Sequence, residues 1–470
     1  MIRRMRVILV LAIIFILVPR SLGFLASSSA VAAHPRSAPT QSSFVLPIVK
    51  RDSLLNGLQL IVLEQKGTGS VSLHLRINSG ALFDLANKAG LSDVTAGMLL
   101  RGGGGMSAKN VADTVESSGI HLSISADWDS TDLVMNGPAE TLEVMFDLIQ
   151  RLVVTPTFEQ KELEQLKTSR IAALKKEESE SVAVSDRALA AVYGTHPFGH
   201  RRRGSPESLV QISKTDVQFF HGRYYLANNA VLAVYGDTTS EQVTRLGRSK
   251  LGVWKKGDKV PPTFRFPDPR SARTISISDR PEAAVSYAAI CQPSFSRRAD
   301  SFFAATMMAT LLQQTIAAQN APERQASIEY CCPARLLTGP LIFEVKAETS
   351  ALPAVLESVL QSMQRLQQNQ VPAEQIDSLK SKMIAAMADQ LKTPNGAINA
   401  ILDIETYGLG RDYLVTFTDR VNAVVPADVQ AAARDFLQPQ AVAIAVAGPA
   451  AKLEPSLKTL GTVGVIKQTN

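Results

Sequence analysis

Apolar positions recur along this chain in two rhythms. Leu58-Gln-Leu-Ile-Val-Leu63 and Val71-Ser-Leu-His-Leu-Arg-Ile77 read as strands flanking a short loop, the second with period-two alternation. Ala139-Glu-Thr-Leu-Glu-Val-Met-Phe-Asp-Leu-Ile-Gln-Arg-Leu152 has its apolar positions at helical spacing, and Pro156 stops it. Strands followed by helices, with meander-like connections, predict an α+β fold and not a doubly wound sheet.

The apolar runs also repeat on a longer scale. Leu166-Lys-Thr-Ser-Arg-Ile-Ala-Ala-Leu174 matches Leu379-Lys-Ser-Lys-Met-Ile-Ala-Ala-Met387, about 213 residues on. Tyr193-Gly194 recurs as Tyr407-Gly408, and Asp216-Val-Gln218 as Asp428-Val-Gln430. Each aspartate is followed 20 positions later by a glycine closing an apolar run, Ala230–Gly236 in one case and Val442–Gly448 in the other. Three blocks in register mean a duplicated domain and not a solenoid. The halves fall at 44–256 and 273–470, joined by a polar, proline-rich segment at 257–272.

The N-terminus has its own pattern: a basic start, Met1-Ile-Arg-Arg-Met-Arg6, then 12 unbroken apolar residues from Val7 to Val18. That is the length of a signal-peptide core and too short to span a bilayer. Small residues at 26–33 offer cleavage after Ala32 or Ala33, making 1–33 a signal peptide for export to a bacterial periplasm. An uncleaved signal would be the one attachment to a membrane. The 470 residues, 45% hydrophobic and 20% charged, are ample for more than one core. The net charge of +6 is scattered, with Arg201-Arg202-Arg203 as one tight run that reads as a solvated loop, and no nucleic-acid motif accompanies it. Cys291, Cys331 and Cys332 are too few for a disulfide framework and read as buried thiols.

Further landmarks run in order along the chain: Asn56–Val62, Ser79-Gly80, Gly90-Leu-Ser-Asp-Val-Thr-Ala-Gly-Met-Leu-Leu-Arg-Gly102, Tyr193-Gly-Thr-His-Pro-Phe-Gly199, Gly204–Leu209 and Tyr225–Asp237. Their order resembles the pitrilysin/insulinase metallopeptidase family, which includes the mitochondrial processing peptidases. It implies two homologous halves of the processing-peptidase-like metallohydrolase fold, with mainly antiparallel sheets packed against helices. Active members carry H-x-x-E-H on a helix in the first half, where two histidines and a distant glutamate hold zinc and the internal glutamate acts as general base.

This chain departs from the family at that motif. Anchoring on Gly90-Leu91 and Met98-Leu99 puts Asp93, Ala96 and Gly97 at the three motif positions, so neither base nor second ligand exists. The distant glutamate would fall at Glu177 or Glu178. Of the six histidines, His34, His74, His121, His196, His200 and His221, one pair has ligand-like spacing, His196 and His200; Pro197 and Gly199 between them argue against the required helix. His74 and His121 read as packing or surface residues in strands. No catalytic metal is expected in this chain, and zinc is expected in an active partner alone. Gly102-Gly-Gly-Gly105 lacks the lysine and hydroxyl of a nucleotide loop and reads as a flexible helix terminus.

Active family members also place an arginine and a tyrosine seven positions apart in the second half, to hold substrate. The matching stretch is Glu323-Arg324-Gln-Ala-Ser-Ile-Glu-Tyr330, with Tyr330 in place and Arg324 one position out of step. Three functions follow from the resemblance: a non-catalytic subunit that pairs with a zinc-bearing homologue around a chamber for extended peptides, a structural or assembly scaffold, or a peptidase with a relocated site.

Overall fold

A computed structural model describes residues 48–319, 326–331 and 335–466. The signal-peptide reading, His34, Glu323, Arg324 and Cys332 therefore lie outside the described residues. No helix among the described residues is long and apolar enough to cross a membrane.

Fourteen strands are described: β1 Lys50–Ser53, β2 Gln59–Glu64, β3 Ser70–Ile77, β4 Gly102–Gly103, β5 Met106–Ser107, β6 His121–Ala126, β7 Thr131–Pro138, β8 Ala230–Gly236, β9 Thr274–Asp279, β10 Val285–Pro293, β11 Ser327–Cys331, β12 Pro340–Glu348, β13 Ala443–Gly448 and β14 Thr462–Ile466. Two six-stranded sheets have corresponding orders, β1-β2-β8-β3-β7-β6 and β14-β9-β13-β10-β12-β11. In each, the meander strands pair antiparallel and the second and third strands in the order pair parallel. The fold is α+β, with two homologous halves. β6 and β11 occupy equivalent free edges.

The repeated residues have physical reasons. Asp216 and Asp428 each return a carboxylate to a backbone N–H at their own helix start, Ser213 N at 2.8 Å and Val425 N at 2.9 Å. A Cβ at Gly236 would lie 2.3 Å from the Ser70 carbonyl, and one at Gly448 would lie 2.3 Å from Ser286 Oγ, so both strand ends need glycine.

The halves exchange one helix each. Glu180–Tyr193 packs on β10, β12 and β13 of the second sheet, and Pro394–Tyr407 packs on β3 and β8 of the first. Ala289, Cys291, Ala443 and Ala445 thereby join the core of the first half, while Ile61, Leu63, Val231 and Ala233 join that of the second. The segment at 257–272 contains no strand or helix, but Phe266 meets Tyr193 at 5.8 Å and Phe264 meets Phe83 at 5.7 Å.

Several local expectations need correction. Gly102–Gly105 is a short hairpin, not a frayed helix end: Gly104 N donates to Thr155 O at 2.8 Å and Arg151 donates to Gly104 O at 2.6 Å. Cys291 is buried, but Cys331 is exposed, because it points outward from edge strand β11. The helix at 139–152 is broken into a 3-10 turn, an α-helical stretch Leu142–Ile149 and a π-turn Gln150–Val154.

Candidate functional site

The degenerate motif lies on the helix Leu91–Leu99, whose Leu91, Val94, Met98 and Leu99 are buried in the first core. Asp84 holds its start, accepting from Gly90 N at 2.7 Å and Ser92 N at 2.8 Å. Burial pushes the Asp84 carboxyl up to about 7, and the nearby Asp93 carboxylate adds to the rise.

Asp93 pairs with Arg170 Nε at 3.2 Å, from the neighbouring helix Gln160–Glu177. Ala96 is buried. A Cβ on Gly97 would sit 2.9 Å from Leu166 Cδ2 and 3.6 Å from Arg170 Nη2. The place of base and ligands is thus filled by a leucine and a guanidinium, and a fixed cation opposes a second cation there. Among the described residues no group of three or more His, Cys, Asp and Glu side chains could hold a metal ion.

Glu177 binds Arg203 at 3.1 Å, and Glu178 binds Arg201 at 3.0 Å. Arg201 also pairs with Asp186, and Arg202 donates to Ala126 O. The arginine run is therefore an internal clamp and not a solvated loop, because four carboxylates, including Asp127 beside Arg202 at 3.7 Å, surround it.

The histidines are dispersed. His196 Nδ1 accepts from Phe198 N at 3.2 Å at the start of a 3-10 turn, and burial pushes its pKa down to about 4. His200 Nδ1 contacts Arg201 O at 3.0 Å, and His221 Nε2 contacts Val153 O at 2.8 Å. Tyr330 lies on β11 opposite Phe343, with ring centroids 5.1 Å apart, half-buried against the second core.

Sequence reasoning missed a polar seam where Pro394–Tyr407 covers β3. Arg76 reaches Asp132 at 2.6 Å and Asp403 at 2.7 Å, tying the halves together. His74 Nε2 meets Asn395 Oδ1 at 3.2 Å, and burial lowers its pKa. Asp129 Oδ2 accepts from Leu336 N at 3.0 Å and Tyr407 Oη at 3.2 Å, and Arg335 pairs with Asp127. A cavity of about 440 Å³ opens among them.

Comparison with known proteins matches residues 60–204 to the insulinase family, peptidase family M16, and residues 211–383 to the peptidase M16 inactive domain. The chain belongs to the M16 peptidase family. It is a member without the H-x-x-E-H residues. It is 25% identical over 206 residues to an uncharacterized zinc protease of Mycobacterium leprae, covering 43% of this chain and 46% of that one. It is 23% identical over 219 residues to the non-peptidase homolog YmxG of Helicobacter pylori, covering 46% and 50%. The chain spans about half the length of the curated relatives it matches.

Among solved structures, the peptidase M16 inactive domain from Pseudomonas fluorescens superposes with a TM-score of 0.78 at 19% identity, over 85% of this chain and 98% of that one. The first half of the periplasmic protease PqqL from Escherichia coli gives 0.68 at 14%, over 91% and 100%, and the complete PqqL chain is covered over 52%. At these identities the likeness is one of fold.

Proposed function

We propose that this chain is an exported, non-catalytic subunit that pairs with a zinc-bearing homologue to enclose a chamber for extended peptides. The carrying observation is the closed motif: Asp93 is held by Arg170, Ala96 is buried, and Gly97 abuts Leu166. The chain corresponds in extent to one half of a complete PqqL chain, which supports pairing with a second, homologous half. In this reading 44–256 and 273–470 are the two domains, 257–272 is their linker, and the bacterial periplasm is the compartment. Zinc belongs to the partner. Tyr330, with Arg324, would contribute peptide contacts beside the free edge β11, where a peptide can add as a further strand.

A second reading is a structural scaffold. It is favoured by a 21% identity over 207 residues to cytochrome b-c1 complex subunit 1 of mouse.

Co-expression with an H-x-x-E-H-bearing homologue separates the two. The subunit reading predicts a complex on size exclusion, a higher peptide turnover than the homologue alone, and a loss of that gain in Tyr330→Phe. A complex whose turnover does not change favours the scaffold, and no complex refutes the pairing.

A further inference from the structure

Duplication built two equivalent seams between a sheet and the helix donated by the other half, and they differ in chemistry. Where the second sheet meets Glu180–Tyr193, the contact positions are Ala289 and Cys291, facing an apolar helix side with Val184 and Ala188. The registers of β3 with β8 and of β10 with β13 make His74 and Arg76 their counterparts in the first sheet. The matching helix, Pro394–Tyr407, brings Asn395, Asn399 and Asp403 to these polar residues. The second seam needs few polar partners, chiefly Ser185 Oγ donating to Glu344 beside Ala289, whereas the first buries His74, Arg76 and Asp129 and so needs a reason beyond holding the halves together.

The cavity in the polar seam supplies one. Asp129 is 5% exposed and His74 2%, and both line it. Asp129 Oδ1 has no hydrogen-bond partner. Arg335 pairs with Asp127 and attracts the Asp129 carboxylate without bonding its free oxygen, and Arg335 Nε has no hydrogen-bond partner either. The free Asp129 oxygen is an acceptor, and His74 beside it in the cavity is held by Asn395 and Asn399. A donor-rich cation meets that demand. A metal ion does not, because no third ligand of the right kind stands with them. The cavity reaches Ser125 on β6, the open edge of the first sheet, which gives it an entrance.

We propose that the polar seam binds a primary ammonium group on a flexible aliphatic arm, with Asp129 as its counter-ion. The group comes either from a free polyamine or from the lysine side chain of a peptide. The proposal does not depend on the subunit reading.

The test is isothermal titration of the full chain with putrescine and, separately, with a lysine-containing hexapeptide and its norleucine counterpart. Asp129→Asn keeps the size and an acceptor for Leu336 N but removes the charge, and it should weaken binding about tenfold or more. Ser125→Lys, at an exposed position on the edge strand, tethers an ammonium at the cavity and should abolish binding while leaving the unfolding midpoint unchanged or higher. Putrescine binding assigns a free amine, and binding of the lysyl peptide without its norleucine counterpart assigns a side chain. If neither probe binds, if both variants bind like the unmodified chain, or if zinc or calcium binds in their place, the proposal is overturned.

Discussion

Placing a histidine at position 97 tests whether the motif helix is closed by packing. In the structure an added Cβ there lies 2.9 Å from Leu166 Cδ2 and 3.4 Å from Leu166 Cδ1, with Arg170 Nη2 at 3.6 Å. Leu166 is buried, so it has little room to retreat. An imidazole beyond that Cβ overpacks the contact, at a cost of about 1–3 kcal/mol. Leaving glycine inside a helix returns a few tenths of a kcal/mol, roughly, and does not change the sign. Gly97→His should therefore lower the free energy of unfolding by about 1–3 kcal/mol in urea titrations followed by circular dichroism. Leu166→Ala should cost about 2–5 kcal/mol by itself. The double variant should be more stable than the sum of the two losses by about 1 kcal/mol, because the alanine opens the space that the imidazole needs. A Gly97→His protein within about 0.5 kcal/mol of the unmodified chain, with no coupling to position 166, would refute the closed-helix reasoning.

Other outcomes follow from the same geometry. Asp84 has an ordinary carboxyl value of 3.8 when unfolded and about 7 when folded, so folding takes up a proton between them. Stability should fall as pH rises from about 4 to about 7 and show no further Asp84 slope above, and Asp84→Asn should lack that slope in unfolding measured across the range. Arg76→Met strands two carboxylates across the seam and should cost about 3 kcal/mol, read by chemical denaturation and by faster proteolysis in 257–272. In native protein an alkylating reagent should modify Cys331 and spare Cys291 until denaturant is added, as read by peptide mass mapping.

The duplicated architecture was legible because the repeat preserves residues with local jobs: the returning carboxylates Asp216 and Asp428, and the close-approach glycines Gly236 and Gly448. The degenerate motif was legible as missing side chains. What took its place was not, because Arg170 and Leu166 come from a helix some seventy positions on, and a plain i,i+4 pattern carries no mark of what a helix faces. The alternation in β3 goes with a half-buried strand, yet every residue from Val71 to Ile77 is buried. The polar face is covered by a helix from the other half, and its Arg76 and His74 find partners more than 300 positions away. The arginine run misled for a related reason: its charge is local in sequence, whereas Glu177, Glu178, Asp186 and Asp127 converge on it only in the fold.

The most direct test of a non-catalytic M16 chain is metal content and cleavage measured on one preparation of the mature protein alone. The account predicts less than a stoichiometric amount of zinc by mass spectrometry after dialysis, and no cleavage of a quenched fluorescent peptide library with zinc added back. One zinc per chain together with cleavage that a chelator abolishes would contradict it.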